Sequence, residues 1–241
     1  MNKSSSFFVS LAALVLSVAA LTMCFICGSK KDENKAVEEA LMAKPEMVIE
    51  AIKKYEQNMR EAAAAKVQEL VDANISELNN DAETPFVGPE NAKVTVVEFF
   101  DYNCGYCRGL FGGLKTVMEA NPDVKFVFKP LSFLSDVSVA AAKAVLAANK
   151  QGKFMQMHNA FFTVNERLTK EKIRSIAEEQ GLDMAKFDAD VASSEIEQLV
   201  GKMSGLANKI QVNGVPVLFI NGKMLQTLDG NEIQSAINSN K

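Results

Sequence analysis

The sequence contains few residues that bind metals or nucleic acids. It has one histidine, four cysteines and no tryptophan in 241 residues, and its formal net charge is −4. Cys24 and Cys27 fall in an apolar N-terminal segment, so the rest of the chain holds too few soft ligands for a tetrahedral zinc site. A chain without a basic excess is also a poor partner for nucleic-acid phosphates. We therefore expect no metal site, no nucleic-acid partner, and cysteine chemistry of the redox kind.

Residues 1–28 have the pattern of a targeting segment. Lys3 gives a positive start, and an apolar run covers residues 7–26. This run is longer than the ~7–15 residues of a signal-peptide core and close to the ~20 that span a bilayer, so it is either a signal peptide or an N-terminal anchor. We favour a cleaved signal peptide. Either alternative exports the chain to a periplasm or cell envelope, where a disulfide can persist.

Residues 35–80 are predicted to form a helical arm, in which Pro45 can occupy the first turn of the longer helix. Apolar residues recur there at steps of three and four: Val48, Ile52, Tyr55 and Met59. A helix from Pro45 to Leu78 would extend about 50 Å, which is longer than a small domain is wide. We therefore interpret residues 35–80 as the oligomerisation arm of a homo-oligomer. The alternative is a helix folded back onto its own domain.

A pair of cysteines, Cys104 and Cys107, follows a β-branched and aromatic strand predicted over residues 93–100 and begins a predicted helix. The unsatisfied N–H groups of a helix N-terminus lower the pKa of a thiol there, which makes Cys104 the nucleophile. Cys107, one turn further, can then attack the mixed disulfide and release the partner. The alternative is a structural disulfide or half of a zinc site.

Glu98 lies six residues before Cys104, in the middle of the apolar strand. Burial of a carboxyl group costs free energy, so a buried glutamate in an apolar strand indicates a functional role. Burial would raise its pKa toward neutrality, so that Glu98 can accept the proton of Cys107 when that sulfur becomes a nucleophile. The alternative is that Glu98 faces solvent on an edge strand.

The remaining segments complete an α/β pattern. Residues 214–223 predict a strand headed by Pro216, an Asn-Gly turn and a return strand. Residues 135–208 predict an inserted helical subdomain, and residues 231–238 a closing helix. Helix starts in the subdomain are predicted at Thr169, at Asp183 and at a capping box over residues 194–197. We interpret His158, the single histidine, as a packing residue.

Residues 96–107, V-V-E-F-F-D-Y-N-C-G-Y-C, resemble the active-site strand of the DsbA family of thiol–disulfide oxidoreductases. They are most similar to the ScsC-like branch, which carries an N-terminal oligomerisation arm. The resemblance implies a thioredoxin-like fold over residues 85–241, with the helical subdomain inserted. It also implies Cys104 as the attacking cysteine, Cys107 as the resolving cysteine, Glu98 as the buried acid, and no cofactor besides the Cys104–Cys107 disulfide.

The same resemblance implies a cis peptide bond before Pro216, which would face the cysteines, and a substrate-binding role for the backbone of Val215. Gly105 and Tyr106 differ from the Pro-His pair of strongly oxidising members and resemble the pair of the isomerase DsbC. A milder oxidant is expected, because a histidine between the two sulfurs would stabilise the thiolate.

We therefore expect an enzyme that forms or isomerises disulfides in unfolded or misfolded envelope proteins, with isomerase or mixed activity favoured. A membrane redox partner similar to DsbB or DsbD is expected to maintain its redox state. The alternative is a dedicated oxidase. A more distant alternative is a non-enzymatic envelope antigen or copper-binding protein.

Overall fold

The computed structural model describes residues 30–81, 83–132, 134–226 and 228–241. The targeting segment predicted for residues 1–28 lies outside the described residues. The chain divides into two compact units, Met1–Ala62 and Ala63–Lys241. Within the part of the chain that the structure describes, no helix is both long and apolar enough to cross a membrane.

The first unit contains α1 (Lys30–Ala43) and most of α2 (Glu46–Ala73). The break between them falls at Pro45, as predicted. Every side chain from residue 34 to residue 62 is exposed. Six of these residues form what we call the apolar stripe: Val37, Leu41, Val48, Ile52, Tyr55 and Met59.

The second unit begins with the end of α2 and continues with α3 (Ile75–Asn79). Val71 and Leu78 are buried in its core, and the side-chain amide of Gln68 donates to the carbonyl of Gly222 at 3.0 Å. The compact unit starts at Ala63, so residues 63–80 of the predicted arm belong to it. Amphipathic spacing does not identify which surface covers a helix, so the sequence alone did not assign these residues to the unit.

Among the described residues, five strands form one mixed sheet. They are β1 (Phe86–Val87), β2 (Thr95–Phe100), β3 (Lys125–Pro130), β4 (Val217–Ile220) and β5 (Lys223–Met224), in the spatial order β1-β3-β2-β4-β5. β2 is parallel to β3, and the other pairs are antiparallel. β2 is the central strand and is fully buried, which excludes an edge position for Glu98.

Helices surround this sheet and confirm the predicted α/β class. α4 (Gly105–Ala120) follows β2, and α10 (Gly230–Asn238) ends the fold. The helical insertion lies between β3 and β4, close to its predicted limits. It consists of α5 (Asp136–Asn149), α6 (Phe154–Thr163), α7 (Lys170–Glu179), α8 (Met184–Val191) and α9 (Ser194–Lys209).

Side-chain caps fix the starts of several of these helices. Thr169 and Asp183 accept the backbone N–H groups of Lys172 and Lys186, as predicted. The start of α9 is one residue earlier than the predicted capping box, because Ser193 has the extended backbone of a cap and accepts the N–H of Ile196.

Candidate active site

The two cysteines lie where the central strand meets the next helix. Cys104 has an extended backbone (φ −81°, ψ 122°) and is the N-cap of α4. Its N–H donates to the carbonyl of Asp101 at 3.0 Å, which holds the turn between β2 and α4. Cys104 is 8% exposed, whereas Cys107 is fully buried, and both are free thiols. The more accessible sulfur therefore lies at the end of α4 where the N–H groups of the first turn have no partners within the helix.

The second half of the site comes from the loop before β4. Because β4 pairs directly with β2, this loop is brought beside the cysteines. The Val215–Pro216 peptide bond is cis, as predicted, and the Sγ atom of Cys104 lies 3.5 Å from the carbonyl oxygen of Val215. The structure thus brings Cys104 beside Val215 and Pro216, which follow it in the sequence by more than a hundred residues.

A groove of about 480 Å³ opens beside Cys104. Its lining is mostly apolar and comes from the start of α4, the loop after β3, the end of α9 and the loop before β4: Cys104, Tyr106, Leu134, Asn208, Val212, Asn213, Gly214 and Val215. Tyr106 is 83% exposed and Leu134 is 55% exposed, so both offer apolar surface to an incoming chain. Gly105, the first residue of α4, has open space where a side chain would be.

Glu98 lies beneath the cysteines, in the middle of β2 between Phe128 of β3 and Leu218 of β4. Burial raises its pKa to about 8. The pKa of the Cys107 thiol is also raised, first by burial, and further by Cys104 and by the charge of Glu98, while a hydrogen bond from the backbone N–H of Asp101 opposes the rise. Cys107 therefore needs a proton acceptor before it can attack, and Glu98 is close enough to influence its titration.

The single histidine packs under the same site. The hydroxyl group of Tyr102 and Nδ1 of His158 lie 3.0 Å apart, and both side chains are buried. Aromatic rings enclose the imidazole: Phe100, Tyr102, Phe111, Phe128, Phe154 and Phe162. Burial lowers the pKa of His158 to about 3, so it stays neutral at physiological pH. His158 is a packing residue, as predicted.

Arg108 was not identified from the sequence. Its guanidinium group donates from Nη1 to the carbonyl oxygens of Phe162 at 2.8 Å and of Val164 at 2.6 Å. These carbonyls lie at the C-terminal end of α6, where a helix has acceptors without partners. Arg108 therefore joins the helix that carries the cysteines to the helical insertion. Its position directly after Cys107 was the only signal in the sequence.

The described part of the chain has no group of three or more histidine, cysteine, aspartate or glutamate residues able to hold a metal ion. The chemistry that this geometry supports is thiol chemistry at Cys104 and Cys107, with Glu98 as a nearby buried acid.

Comparison with known protein families identifies the family to which the domain with this site belongs. The family model described as a DSBA-like thioredoxin domain matches residues 95–239, which contain both cysteines and the Pro216 loop. The chain belongs to this family. The DSBA-like domain accounts for the mixed sheet with its helical insertion, and the fold is thioredoxin-like, as predicted.

Solved structures agree with the DSBA-like assignment. A thioredoxin-like oxidoreductase from Silicibacter pomeroyi DSS-3 is 32% identical, with a TM-score of 0.65, and the match covers 68% of this chain and 95% of that one. A variant of ScsC from Proteus mirabilis is 24% identical, with a TM-score of 0.68, and the match covers 88% and 95% of the two chains. The ScsC match supports the fold.

Curated relatives of the DSBA-like domain include proteins of different sizes. A probable disulfide bond formation protein D from Bacillus anthracis is 29% identical over 152 residues, which are 57% of this chain and 70% of that protein. The chain also matches NhaA sodium/proton antiporters, of which it spans only 21% of the length.

Proposed function

We propose that this protein is an exported thiol–disulfide interchange enzyme that forms or isomerises disulfides in envelope proteins. The observation that carries the proposal is the position of the Cys104 sulfur at the N-terminus of α4, 3.5 Å from the carbonyl of Val215. A thiolate at this point is stabilised by the helix and is adjacent to backbone that can pair with an extended chain. Membership of the DSBA-like family supports this chemistry.

The reaction begins when the Cys104 thiolate attacks one sulfur of a substrate disulfide. The other substrate sulfur leaves as a thiolate, and Cys104 is then bound to the substrate in a mixed disulfide. In isomerisation, a different substrate thiolate attacks the mixed disulfide and regenerates Cys104. In the escape route, Cys107 transfers its proton to Glu98 and attacks Cys104, which releases the reduced substrate and leaves the Cys104–Cys107 disulfide. Oxidation of a dithiol substrate is the reverse of this sequence.

Substrate binding is assigned to Val215, Pro216, Gly105 and Tyr106, together with the apolar groove. The carbonyl of Val215 is a backbone acceptor, which pairs with the backbone of an extended chain without reading its side chains. The exposed ring of Tyr106 and the side chain of Leu134 add apolar contact. This combination suits unfolded or misfolded proteins with cysteines rather than one defined sequence.

Isomerase or mixed activity is favoured over a dedicated oxidase because of residues 105 and 106. Neither glycine nor tyrosine offers the thiolate a cationic donor, as a protonated histidine would, so the reduced form is less stabilised and the disulfide is a weaker oxidant. Gly105 occupies the first helical position, where proline fits well and where the structure has space. The double variant Gly105→Pro/Tyr106→His should therefore fold and become more oxidising.

Self-association is assigned to the apolar stripe. Within α2, Val48 and Tyr55 are seven residues apart, and Ile52 and Met59 repeat the same interval. These are the d and a positions of a heptad, which a second helix covers in a coiled coil. All of them are exposed within one chain, so a second copy of the chain is the proposed cover. An oligomer would present several active sites to one misfolded substrate, which favours isomerisation.

Mixed-disulfide trapping tests the chemistry. Cys107→Ser should accumulate a covalent adduct with a scrambled substrate protein through Cys104, while Cys104→Ser should form none and should lose recovery of the native disulfides. The reaction assigned here is refuted if Cys104→Ser retains half of the wild-type rate. Oxidase activity without isomerase activity would instead favour the dedicated oxidase.

A matched pair of variants tests the stripe. Ile52→Lys places a charge within it, while Gln57→Lys places the same charge on the opposite face of α2. Sedimentation should show that Ile52→Lys dissociates the oligomer and that Gln57→Lys does not. Equal behaviour of the two variants would remove the stripe as the contact between copies.

A further inference from the structure

Asp101 is a second buried carboxyl group beside the cysteines. It follows the last residue of β2 and has no exposed surface. Its Oδ1 atom accepts the backbone N–H of Asn103 at 2.8 Å. Its Oδ2 atom is buried and has no hydrogen-bond partner among the described residues. Most buried polar atoms in proteins are hydrogen bonded, so a partnerless carboxylate oxygen at a reacting centre calls for an explanation.

The main chain of Asp101 contacts both cysteines. Its carbonyl accepts the N–H of Cys104 at 3.0 Å, and its backbone opposes the rise in the pKa of the Cys107 thiol. The carboxyl group is attached to the same residue and bonds to the N–H of Asn103, the residue directly before Cys104. The carboxyl group is therefore fixed within the turn that carries Cys104.

The hydrogen bonds alone do not require a charge at this position. An asparagine would offer Asn103 the same carbonyl oxygen, without the desolvation of a carboxylate. The nearest cation in the sequence, Arg108, is turned toward the carbonyls of Phe162 and Val164. Glu98 carries little charge at pH 7, because burial raises its pKa to about 8. Asp101 is thus a second acidic side chain at the turn between β2 and Cys104.

We propose that Asp101 is a positioning residue that also sets the reduction potential of the cysteine pair, by opposing the negative charge of the Cys104 thiolate. Reduction by a substrate dithiol or by glutathione adds two electrons and one proton and breaks the Cys104–Cys107 bond, which leaves a thiolate at Cys104 and a protonated thiol at Cys107. A neighbouring carboxylate disfavours only the reduced form, because the disulfide has no charge. Asp101 therefore makes the protein a weaker oxidant. This inference rests on the proposed thiol–disulfide chemistry and extends it.

Removal of the charge tests the inference. Asp101→Asn keeps the acceptor for Asn103 and loses the charge, and Asp101→Ser is a smaller variant that can also accept a hydrogen bond. In both variants, the Cys104 thiol should titrate about 0.5–1 pH unit lower, measured by thiolate absorbance. The equilibrium with glutathione should favour the reduced form about three- to tenfold more, and the tenfold limit corresponds to about 30 mV.

The outcomes separate this inference from the proposed function. If wild type and both variants equilibrate with glutathione at the same potential, the charge of Asp101 has no role and the inference is overturned, while the proposed function stands. A shift toward weaker oxidation in the folded variants also overturns it. If Asp101→Asn fails to fold, Asp101→Ser provides the measurement. A wild-type protein that does not exchange with glutathione at all would refute the proposed function itself.

Discussion

Glu98 and Lys129 are charged side chains buried in adjacent central strands, but their surroundings differ. In the parallel pairing of β2 and β3, Glu98 is opposite Phe128, and Lys129 is opposite Phe99, so the two side chains lie on opposite faces of the sheet. The Nζ atom of Lys129 donates to the carbonyl of Glu77 at 3.2 Å and to Oγ1 of Thr84 at 3.3 Å. For Glu98, burial is the only cause of the pKa shift, with no hydrogen-bonded or charged partner contributing.

This difference separates structural from functional burial of charge. Burial lowers the pKa of Lys129 to about 8, but the carboxyl groups of Asp81 and Glu77 oppose the shift, so its surroundings compensate the ammonium. Through these two hydrogen bonds, Lys129 connects α3 and the segment after it to the sheet. Glu98 has no such compensation and lies beneath a thiol that must lose a proton. A buried charge with partners stabilises a fold, whereas one without partners is a candidate for proton transfer.

The largest expected effect is on stability, at Lys129. Lys129→Ala should lower the free energy of unfolding by about 3 kcal/mol, because it leaves a cavity and leaves Thr84 and the Glu77 carbonyl without their donor. Urea unfolding at pH 7 measures this. Lys129→Met retains most of the volume and should lose less than half as much. Disulfide exchange should keep its wild-type rate in Lys129→Met, and a loss of stability below about 1 kcal/mol in Lys129→Ala would contradict the comparison.

The pH dependence of stability should show both groups with opposite signs. Between pH 6 and 8 the folded state keeps the Glu98 proton, whereas the unfolded state has released it, so the free energy of unfolding falls by about 1 kcal/mol per pH unit. Above pH 8 the folded state has released the Lys129 proton and the unfolded state keeps it, so stability rises again toward pH 9.5. The oxidised protein should therefore be least stable near pH 8.

Two variants test which residue causes the fall in stability below pH 8 and which causes the rise above it. Glu98→Gln should flatten the fall below pH 8, and Lys129→Met should flatten the rise above it, with unfolding followed in the disulfide form so that the cysteines do not titrate. A monotonic curve that neither variant changes would show that the two groups titrate alike in the folded and unfolded states.

Glu98 should also control the release of substrate. In Glu98→Gln, the attack of Cys107 on the mixed disulfide should slow about tenfold at pH 8 and above, where wild-type Glu98 has released its own proton and can accept that of Cys107, whereas the amide cannot. Stopped-flow measurement of substrate release from a preformed mixed disulfide isolates this step. Lys129→Met serves as the control and should release substrate at the wild-type rate. If Glu98→Gln and wild type release substrate at equal rates, Glu98 has a structural role, like Lys129, and does not take part in proton transfer.

The sequence predicted the parts of the site that are local in the chain. Cys104, Cys107 and Glu98 are close in sequence because a strand and the start of a helix hold them at fixed spacing. The cis bond before Pro216 was expected only from the family resemblance, since spacing alone does not place that loop beside Cys104. The short β1 and the buried β3 were not predicted at all.

What the sequence did not predict depends on long-range contacts. Lys129 on its own predicts an exposed residue, and only the packing of the segment at Glu77 to Thr84 makes its burial possible. The start of the compact unit at Ala63 also depends on long-range contacts. Val71 and Leu78 belong to the same helical pattern of apolar residues as the apolar stripe, but they are buried in the second unit. Helical periodicity indicates that an apolar face exists, and only the fold identifies what covers it.

Arg108 extends the comparison to a third charged side chain, and it resembles Lys129 because backbone carbonyls satisfy it. Arg108→Lys keeps the charge but cannot match the planar guanidinium that reaches both Phe162 and Val164, so the free energy of unfolding should fall by about 1 kcal/mol. Arg174 is the control: it pairs with Asp188 on the surface, and Arg174→Lys should change stability by less than about 0.5 kcal/mol. Thermal and urea unfolding measure both variants. If the two variants lose equal stability, the contact of Arg108 at the end of α6 stabilises the fold no more than a surface ion pair does. Arg108 would then have to be grouped with Glu98, as a charge whose position beside the cysteines needs a functional explanation.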